Sequence, residues 1–202
     1  MIYQALSSSV SPKTAIIMLH GWTGNISSMK PISKILDIKN IKWIFLQGPI
    51  KVKKDSFSWF NEKRQGESQL NDSFTLLKKL IKRLNKQGFA YSSIYILGFS
   101  QGACLAMEFI IRQSFSIGGI IPVSGFIRYV KGLNEESFYK SKKTKVLILH
   151  GKKDEIVSPK NSIQAQKLFL KAGYKSNLHF FNTRHKFPMQ AKDLVKKFVL
   201  NR

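Results

Sequence analysis

Hydrophobic residues along this chain fall into two alternating patterns. Short, nearly continuous apolar runs rich in isoleucine and valine occur at Ala15–Leu19, Ile41–Leu46, Ile94–Leu97, Ile117–Val123, Val146–Leu149 and Leu178–Phe181. Such runs predict strands buried on both faces, as in a parallel sheet covered by helices. Between them, apolar positions recur at three- and four-residue steps. This spacing predicts helices near Ser28–Leu36, Asn71–Lys86, Ala103–Arg112, Ser162–Ala172 and Pro188–Leu200. The second is the clearest. Leu70, Phe74, Leu77, Leu80, Ile81 and Leu84 make one apolar face, the nearby lysines fall largely elsewhere, and Gly88 supplies a stop. The alternation predicts an α/β fold, a mostly parallel central sheet with helices on both faces.

Composition narrows the class without changing that picture. At 202 residues, 43% hydrophobic and 22% charged, the chain suits one globular domain over residues 1–202, with no internal repeat or low-complexity linker. The longest uncharged stretches, such as Ser114–Ile127, are broken by glycine and proline, so no membrane span is expected. Met1-Ile2-Tyr3-Gln4 shows no basic region leading into an apolar one, and the single cysteine, Cys104, excludes an internal disulfide. A cytoplasmic protein is the expectation.

The net charge of +23 is the unusual bulk property. It raises three partner classes: nucleic acid, an anionic membrane surface and acidic substrates. The lysines are scattered in pairs such as Lys53-Lys54, Lys78-Lys79 and Lys152-Lys153, with no long basic block. A compositional origin is favoured, with no specific nucleic-acid partner and at most peripheral attraction to an anionic membrane.

In open sheets of this kind ligands bind beyond the carboxyl ends of the strands. After Ile94–Leu97 comes Gly98-Phe99-Ser100-Gln101-Gly102 and then a helical run. Gly-x-Ser-x-Gly between strand and helix is the nucleophile elbow, a sharp turn that exposes a serine while glycines let strand and helix close up. The pattern by itself is weak, arising by chance about once in fifteen chains of this length. Its context strengthens it. A serine hydroxyl needs a base, and the base an orienting acid, in the chain order Ser, Asp or Glu, His. Asp154 is the only aspartate between Ser100 and the last histidine; Glu155 is the alternative, and Glu135 and Glu136 are less well placed. His185 lies just past a strand end, whereas His179 falls inside a strand and is expected to point into a packed face. His20 and His150 end strands and are expected to support loops.

Acyl transfer also needs amide donors for an oxyanion. Gln101 follows the nucleophile, and Trp22 sits in the glycine-rich turn His20-Gly21-Trp22-Thr23-Gly24-Asn25. In the segment Ile50–Gln69, Trp59 and Phe60 are candidate substrate contacts, with packing beneath a long loop as the alternative. Phe126–Tyr139 contributes further aromatics.

Together these residues resemble the phospholipase/carboxylesterase family of α/β-hydrolases, which includes the acyl-protein thioesterases. The resemblance runs from about Thr14 to Val199. It is strongest at Leu97-Gly98-Phe99-Ser100-Gln101-Gly102-Ala103, with support from Leu19-His20-Gly21, Gly48-Pro49, Ser58-Trp59-Phe60, Val123-Ser124-Gly125-Phe126 and His150–Val157. Arg184 before His185, Asn25 after Gly24 and Cys104 on the elbow helix depart from the family pattern. The resemblance implies a cofactor-free serine hydrolase acting on a small-molecule or lipid acyl ester or thioester, or on an acylated protein. No metal is implied, because no cluster has ligand spacing. The alternative is a basic nucleic-acid or membrane-surface binding protein on a hydrolase scaffold.

Overall fold

In a computed structural model, which describes residues 2–61, 66–129 and 141–200, the apolar runs become strands of one sheet. The strands are β1 (Tyr3–Ser7), β2 (Thr14–Leu19), β3 (Ile41–Leu46), β4 (Ile50–Lys53), β5 (Ser56–Ser58), β6 (Ile94–Phe99), β7 (Gly119–Val123), β8 (Lys145–Gly151) and β9 (Ser176–Phe181). The helices are α1 (Lys30–Leu36), α2 (Asn71–Lys86), α3 (Gln101–Ile110), α4 (Pro159–Lys171) and α5 (Lys192–Leu200). The large sheet has the order β1-β3-β2-β6-β7-β8-β9, parallel except for β1 at one edge.

Side chains alternate across it with a period of two, as strand geometry requires. Ala15, Ile17 and Leu19 of β2 join a core with Leu77 and Ile81 of α2, Phe109 of α3 and Phe169 of α4. Ile16 and Met18 point the other way, into a core with Ile32 and Leu36 of α1 and Val195 and Val199 of α5. Each such valine, leucine, isoleucine, methionine or phenylalanine, fully buried, contributes about 1.5–3 kcal/mol. These central strands therefore fix the register more firmly than any surface contact can.

The strand order sets where a ligand can sit. From β2 the chain goes to β3 on one side, then crosses to β6 on the other. The helices that follow β2 and β6, α1 and α3, accordingly pack in opposite cores. The loops leaving β2 and β6 diverge at this switch point and open a crevice between them.

The details depart from the pattern-based elements at identifiable places. β7 begins at Gly119 rather than Ile117, because the Gly118 amide donates to Tyr91 and Ile94 and the Ile117 amide to the Thr144 hydroxyl. α3 begins at Gln101, not Ala103, and both α1 and α5 are preceded by a 3-10 turn, at Ile26–Met29 and Met189–Ala191. Two elements are new. β1 is a mostly exposed antiparallel edge strand. β4 and β5 form a small hairpin with a bulge between Lys51 and Lys53 and with Asp55 at φ 56° in its turn.

Candidate active site

β6 is buried almost to its end and then breaks sharply. Ser100 has φ 52° and ψ −115° and caps α3, a conformation that costs an L-residue free energy and clusters at functional sites. The flanking glycines are sterically required. A Cβ on Gly98 would lie 2.2 Å from the Gly102 carbonyl oxygen, and one on Gly102 would lie 2.4 Å from that of Leu19. The Ser100 amide donates to Val123 at 2.9 Å, and the Ser100 carbonyl accepts from Ala103 and Cys104. Its side chain is thereby aimed off the sheet edge.

Two further loops meet it there. The loop after β8 carries Asp154, whose own amide donates to Gly151. Its Oδ1 accepts the Ile156 and Val157 amides at 3.0 and 2.9 Å. The loop after β9 carries His185, and the two loops are stitched together by the Lys152 amide to Phe181 and the Lys153 amide to Thr183. His185 Nδ1 lies 2.8 Å from Asp154 Oδ2 and 3.0 Å from Oδ1, while Nε2 lies 3.0 Å from Ser100 Oγ. Since an ionised carboxylate only accepts, Nδ1 carries the ring hydrogen and Nε2 is free to accept from the serine hydroxyl. The Phe99 ring, 4.9 Å from the imidazole, backs it.

Asp154 is buried, and burial alone would raise its pKa. The Val157 amide, His185 and Ser124 outweigh that and hold it below the ordinary carboxylate range. His150 is fully buried beside it, with Nδ1 2.6 Å from the Ser162 hydroxyl and Nε2 2.9 Å from the Val157 carbonyl. Burial lowers the pKa of His150, only partly opposed by the Val157 carbonyl and Asp154, so its neutral form is favoured.

The glycine-rich turn after β2 closes the other side. His20 Nδ1 donates to the Gly21 carbonyl at 2.7 Å, and Nε2 accepts the Gly48 amide at 3.1 Å. Asn25 caps the following turn through the Ser27 amide and donates to the Asp55 carbonyl, tying the turn to the hairpin. A Cβ on Gly21 would lie 3.4 Å from that of Ser100, so the turn abuts the serine. The main-chain amides of Trp22 and Gln101 have no hydrogen-bond acceptor among the described residues. Beside the turn, Trp22, Ile50, Lys51, Val52, Ser58, Phe60 and Asn61 line an open trough of about 440 Å³.

The phospholipase/carboxylesterase family model matches residues 3–201. The chain belongs to that family. Among its relatives, acyl-protein thioesterase 1 of Debaryomyces hansenii is 27% identical over 198 residues, covering 87% of this chain and 82% of that protein. An uncharacterized hydrolase of Schizosaccharomyces pombe is 28% identical over 130 residues, so the chain spans about half of that relative, 54% of each. The crystal structure of Zea mays acyl-protein thioesterase 2 superimposes with a TM-score of 0.81 at 18% identity, covering 99% of this chain and 98% of that one. The fold is therefore that of the α/β-hydrolases, and this family member is a hydrolase.

Of the residues singled out in the sequence, the fold brings Ser100, Asp154 and His185 together with the Trp22 turn and Gln101. Glu155 is exposed and Glu135 and Glu136 lie outside the described residues. His179 is also exposed, contrary to the packed position expected for it, because β9 is the outermost strand and that part of its face stays open. Trp59 is corrected as well. It is fully buried in the core, its indole donating to the His20 carbonyl at 2.8 Å, so it supports the turn and does not line the trough. Phe60 does line it. Cys104 is a buried core residue.

Sequence reasoning missed the hairpin and the Gln101 side chain. Alternation in Ile50-Lys51-Val52-Lys53 ahead of Asp55 was a signal for the hairpin. No signal marked the Gln101 carboxamide, which accepts the Trp59 amide and donates to the Ser58 hydroxyl and Phe60 carbonyl. Glu108 was also missed. Buried on α3, it pairs with Arg112 and accepts the Arg128 and Tyr129 amides, fixing the segment that follows β7. Among the described residues no His, Cys, Asp and Glu cluster is suited to a metal, and no helix is long and apolar enough to cross a membrane.

Proposed function

We propose that the protein hydrolyses carboxylic ester or thioester bonds through an acyl-enzyme on Ser100, with His185 as base and Asp154 as its orienter. The observation that carries the reading is the continuous relay from Asp154 Oδ2 to His185 Nδ1 at 2.8 Å and from Nε2 to Ser100 Oγ at 3.0 Å. In the first step Oγ attacks the acyl carbonyl carbon as its proton passes to Nε2. The carbonyl oxygen becomes an oxyanion, held by the Trp22 and Gln101 amides, which are held in place and otherwise unpaired. The carbon–oxygen or carbon–sulfur bond then breaks, and Nε2 returns the proton to the departing alcohol or thiol. Water, giving its proton to the same nitrogen, attacks the acyl-serine; the proton returns to Oγ and the free acid leaves.

The apolar trough beside the Trp22 turn suits an acyl chain. The leaving group is then a small alcohol or thiol, a lipid, or a protein thiol, in keeping with the thioesterases among the relatives. The chain works as one domain in this scheme, without a cofactor. A binding-only role gives no account of a complete and hydrogen-bonded relay. A fluorophosphonate probe should label wild type at Ser100, and a panel of nitrophenyl esters and acyl thioesters of increasing length should be turned over. Ser100→Ala should forfeit about four or more orders of magnitude in kcat; near-wild-type turnover in that variant would sink the proposal.

A further inference from the structure

In the large sheet β6 lies between β2 on one side and β7, β8 and β9 on the other. The loops that leave these parallel strands flank Ser100 in the same order. The Trp22 turn, the hairpin tied to it and the trough stand on the β2 side. The Asp154 and His185 loops stand on the β8–β9 side. This arrangement decides which half of a bound ester goes where. His185 Nε2, 3.0 Å from Ser100 Oγ, returns its proton to the departing oxygen or sulfur, so that atom must come within hydrogen-bond reach of Nε2. With the acyl chain in the trough, the leaving group extends over the β8–β9 loops.

Those loops are cationic. Lys152 and Lys153 follow β8, Arg184 and Lys186 flank His185, and all four side chains are exposed. The backbone holds the two pairs together. The Lys152 amide donates to the Phe181 carbonyl at 2.7 Å and the Lys153 amide to that of Thr183 at 3.0 Å. A Cβ on Gly151 would lie 2.5 Å from the Arg184 carbonyl oxygen, so the lysine turn rests against the main chain beside the base. The acids of these loops do not balance the charge. Asp154 is buried and committed to His185 and to the Ile156 and Val157 amides, which leaves Glu155 as the exposed one. Among the described residues no ion pair involves any of the four cations. Like charges gathered this way repel one another and do nothing for the fold, and a bound anion relieves that repulsion. We infer that Arg184 and Lys152, with Lys153 and Lys186 beside them, form a leaving-group subsite for phosphate. The preferred substrate is then an acyl ester or thioester whose departing alcohol or thiol carries a phosphate. The planar fork of Arg184 suits two phosphate oxygens at once, and the lysines act as point charges. The bond broken is unchanged. Its electron pair leaves with the alcohol or thiol, which takes the proton from Nε2, and the phosphate stays intact. The inference rests on the proposed roles of Ser100, His185 and the trough.

The test uses two substrate pairs, each sharing one acyl chain and differing in the phosphate. Acyl-coenzyme A is compared with the S-acyl-N-acetylcysteamine thioester, and a 1-acylglycerol 3-phosphate with the 1-monoacylglycerol. Salt is held at about 0.15 M, where long-range attraction is largely screened. Wild type should prefer the phosphate-bearing member of at least one pair by roughly ten-fold or more in kcat/KM. The pair that shows the preference tells a phosphorylated thiol from a lipid phosphate. Arg184→Glu and Lys152→Glu should each erode that preference roughly ten-fold, through KM, with the neutral member turned over as before. Lys53→Glu makes the same charge change on the hairpin, across Ser100, and should alter the preference less than about two-fold. Equal turnover within both pairs overturns the inference. So does a loss in Lys53→Glu as large as in Arg184→Glu, which would assign the preference to the overall field. If Arg184→Glu disturbs His185, seen as lost turnover of the neutral members, Arg184→Gln and Lys152→Glu decide instead. The neutral members also keep the two readings apart. Their hydrolysis through Ser100 with no phosphate preference sinks this inference alone, whereas no hydrolysis of any substrate sinks the catalytic reading beneath it.

Discussion

The Gln101 carboxamide oxygen accepts the Trp59 main-chain hydrogen at 3.0 Å, a bond that ties the elbow to the segment forming one wall of the trough. The same side chain donates to the Ser58 hydroxyl at 2.9 Å and the Phe60 carbonyl at 3.1 Å. Ser58 and Phe60 line the trough, while the Gln101 amide is the proposed oxyanion donor. In the proposed mechanism one buried residue therefore couples acyl-chain accommodation to oxyanion stabilisation. Gln101→Leu strands the Trp59 amide in the core, while the Phe60 carbonyl keeps the Ser58 hydroxyl at 2.7 Å, so it should cost about 1–3 kcal/mol of stability. It should also lower kcat/KM more for long-chain than for acetyl esters. Chemical denaturation and a chain-length series check both parts. An equal loss at every chain length would mean that Gln101 serves the oxyanion site alone.

The two later histidines separate cleanly in the structure, and kinetics should separate them too. His185→Ala removes the group between Asp154 and Ser100 and should lower kcat by about three to four orders of magnitude or more while circular dichroism stays native. His179 is exposed on β9, so His179→Ala should stay within about 0.5 kcal/mol of wild-type stability and keep full activity. A severe defect in His179→Ala with an active His185→Ala would reassign the base.

Much of this site was legible because its parts sit at the ends of buried parallel strands. Such strands read as apolar runs, so Ser100, Asp154 and His185 stand out as polar residues just beyond Phe99, Gly151 and Phe181. Strands with one neighbour or an open face carry no comparable signal. Tyr3–Ser7 is short and mostly exposed, and went unseen. His179 was misplaced because an apolar run does not reveal that its strand is outermost. Trp59 and Phe60 were separated only by tertiary structure. They are adjacent in sequence, yet one is claimed by the His20 carbonyl beneath the turn and the other faces the trough. The Gln101 side chain bonds to Trp59 and Phe60, some forty residues away in sequence, which no local pattern encodes.

Two buried histidines make stability depend on pH. Burial lowers the pKa of His20, partly opposed by its bond to the Gly21 carbonyl, and burial likewise lowers that of His150. In the unfolded chain both titrate near the ordinary value of about 6.5. Below that pH the unfolded state binds protons that the native state refuses, so stability falls as pH falls. The loss runs from about 6.5 down to the lowered native values. Asp154, also lowered, adds a further loss in the carboxylate range. The melting temperature should therefore be lower at pH 5.5 than at 7.5. His150→Gln should be less stable at neutral pH but show a shallower pH slope. A wild-type melting temperature flat between those pH values would refute the linkage.

The net charge of +23 makes a prediction that distinguishes catalysis on a solvated basic surface from a charge-reading function. Lys51 lines the trough, and Lys53, Lys152, Arg184 and Lys186 are exposed on the loops around the site. Cations there attract an anionic substrate before it binds, an effect on encounter rather than on the chemical step. At 0.15 M salt the Debye length is about 8 Å, so most of that attraction is screened beyond physiological ionic strength. For an ester with an anionic leaving group, KM should rise as salt increases from about 0.02 to 0.3 M while kcat holds. A neutral short-chain ester should show almost no change over the same range. Duplex DNA should bind weakly and without sequence preference, its affinity falling steeply with salt as phosphate contacts are displaced by counterions. Equal salt sensitivity for both esters would remove steering from the mechanism. Salt-resistant, sequence-selective DNA binding would mean that the basic surface reads nucleic acid.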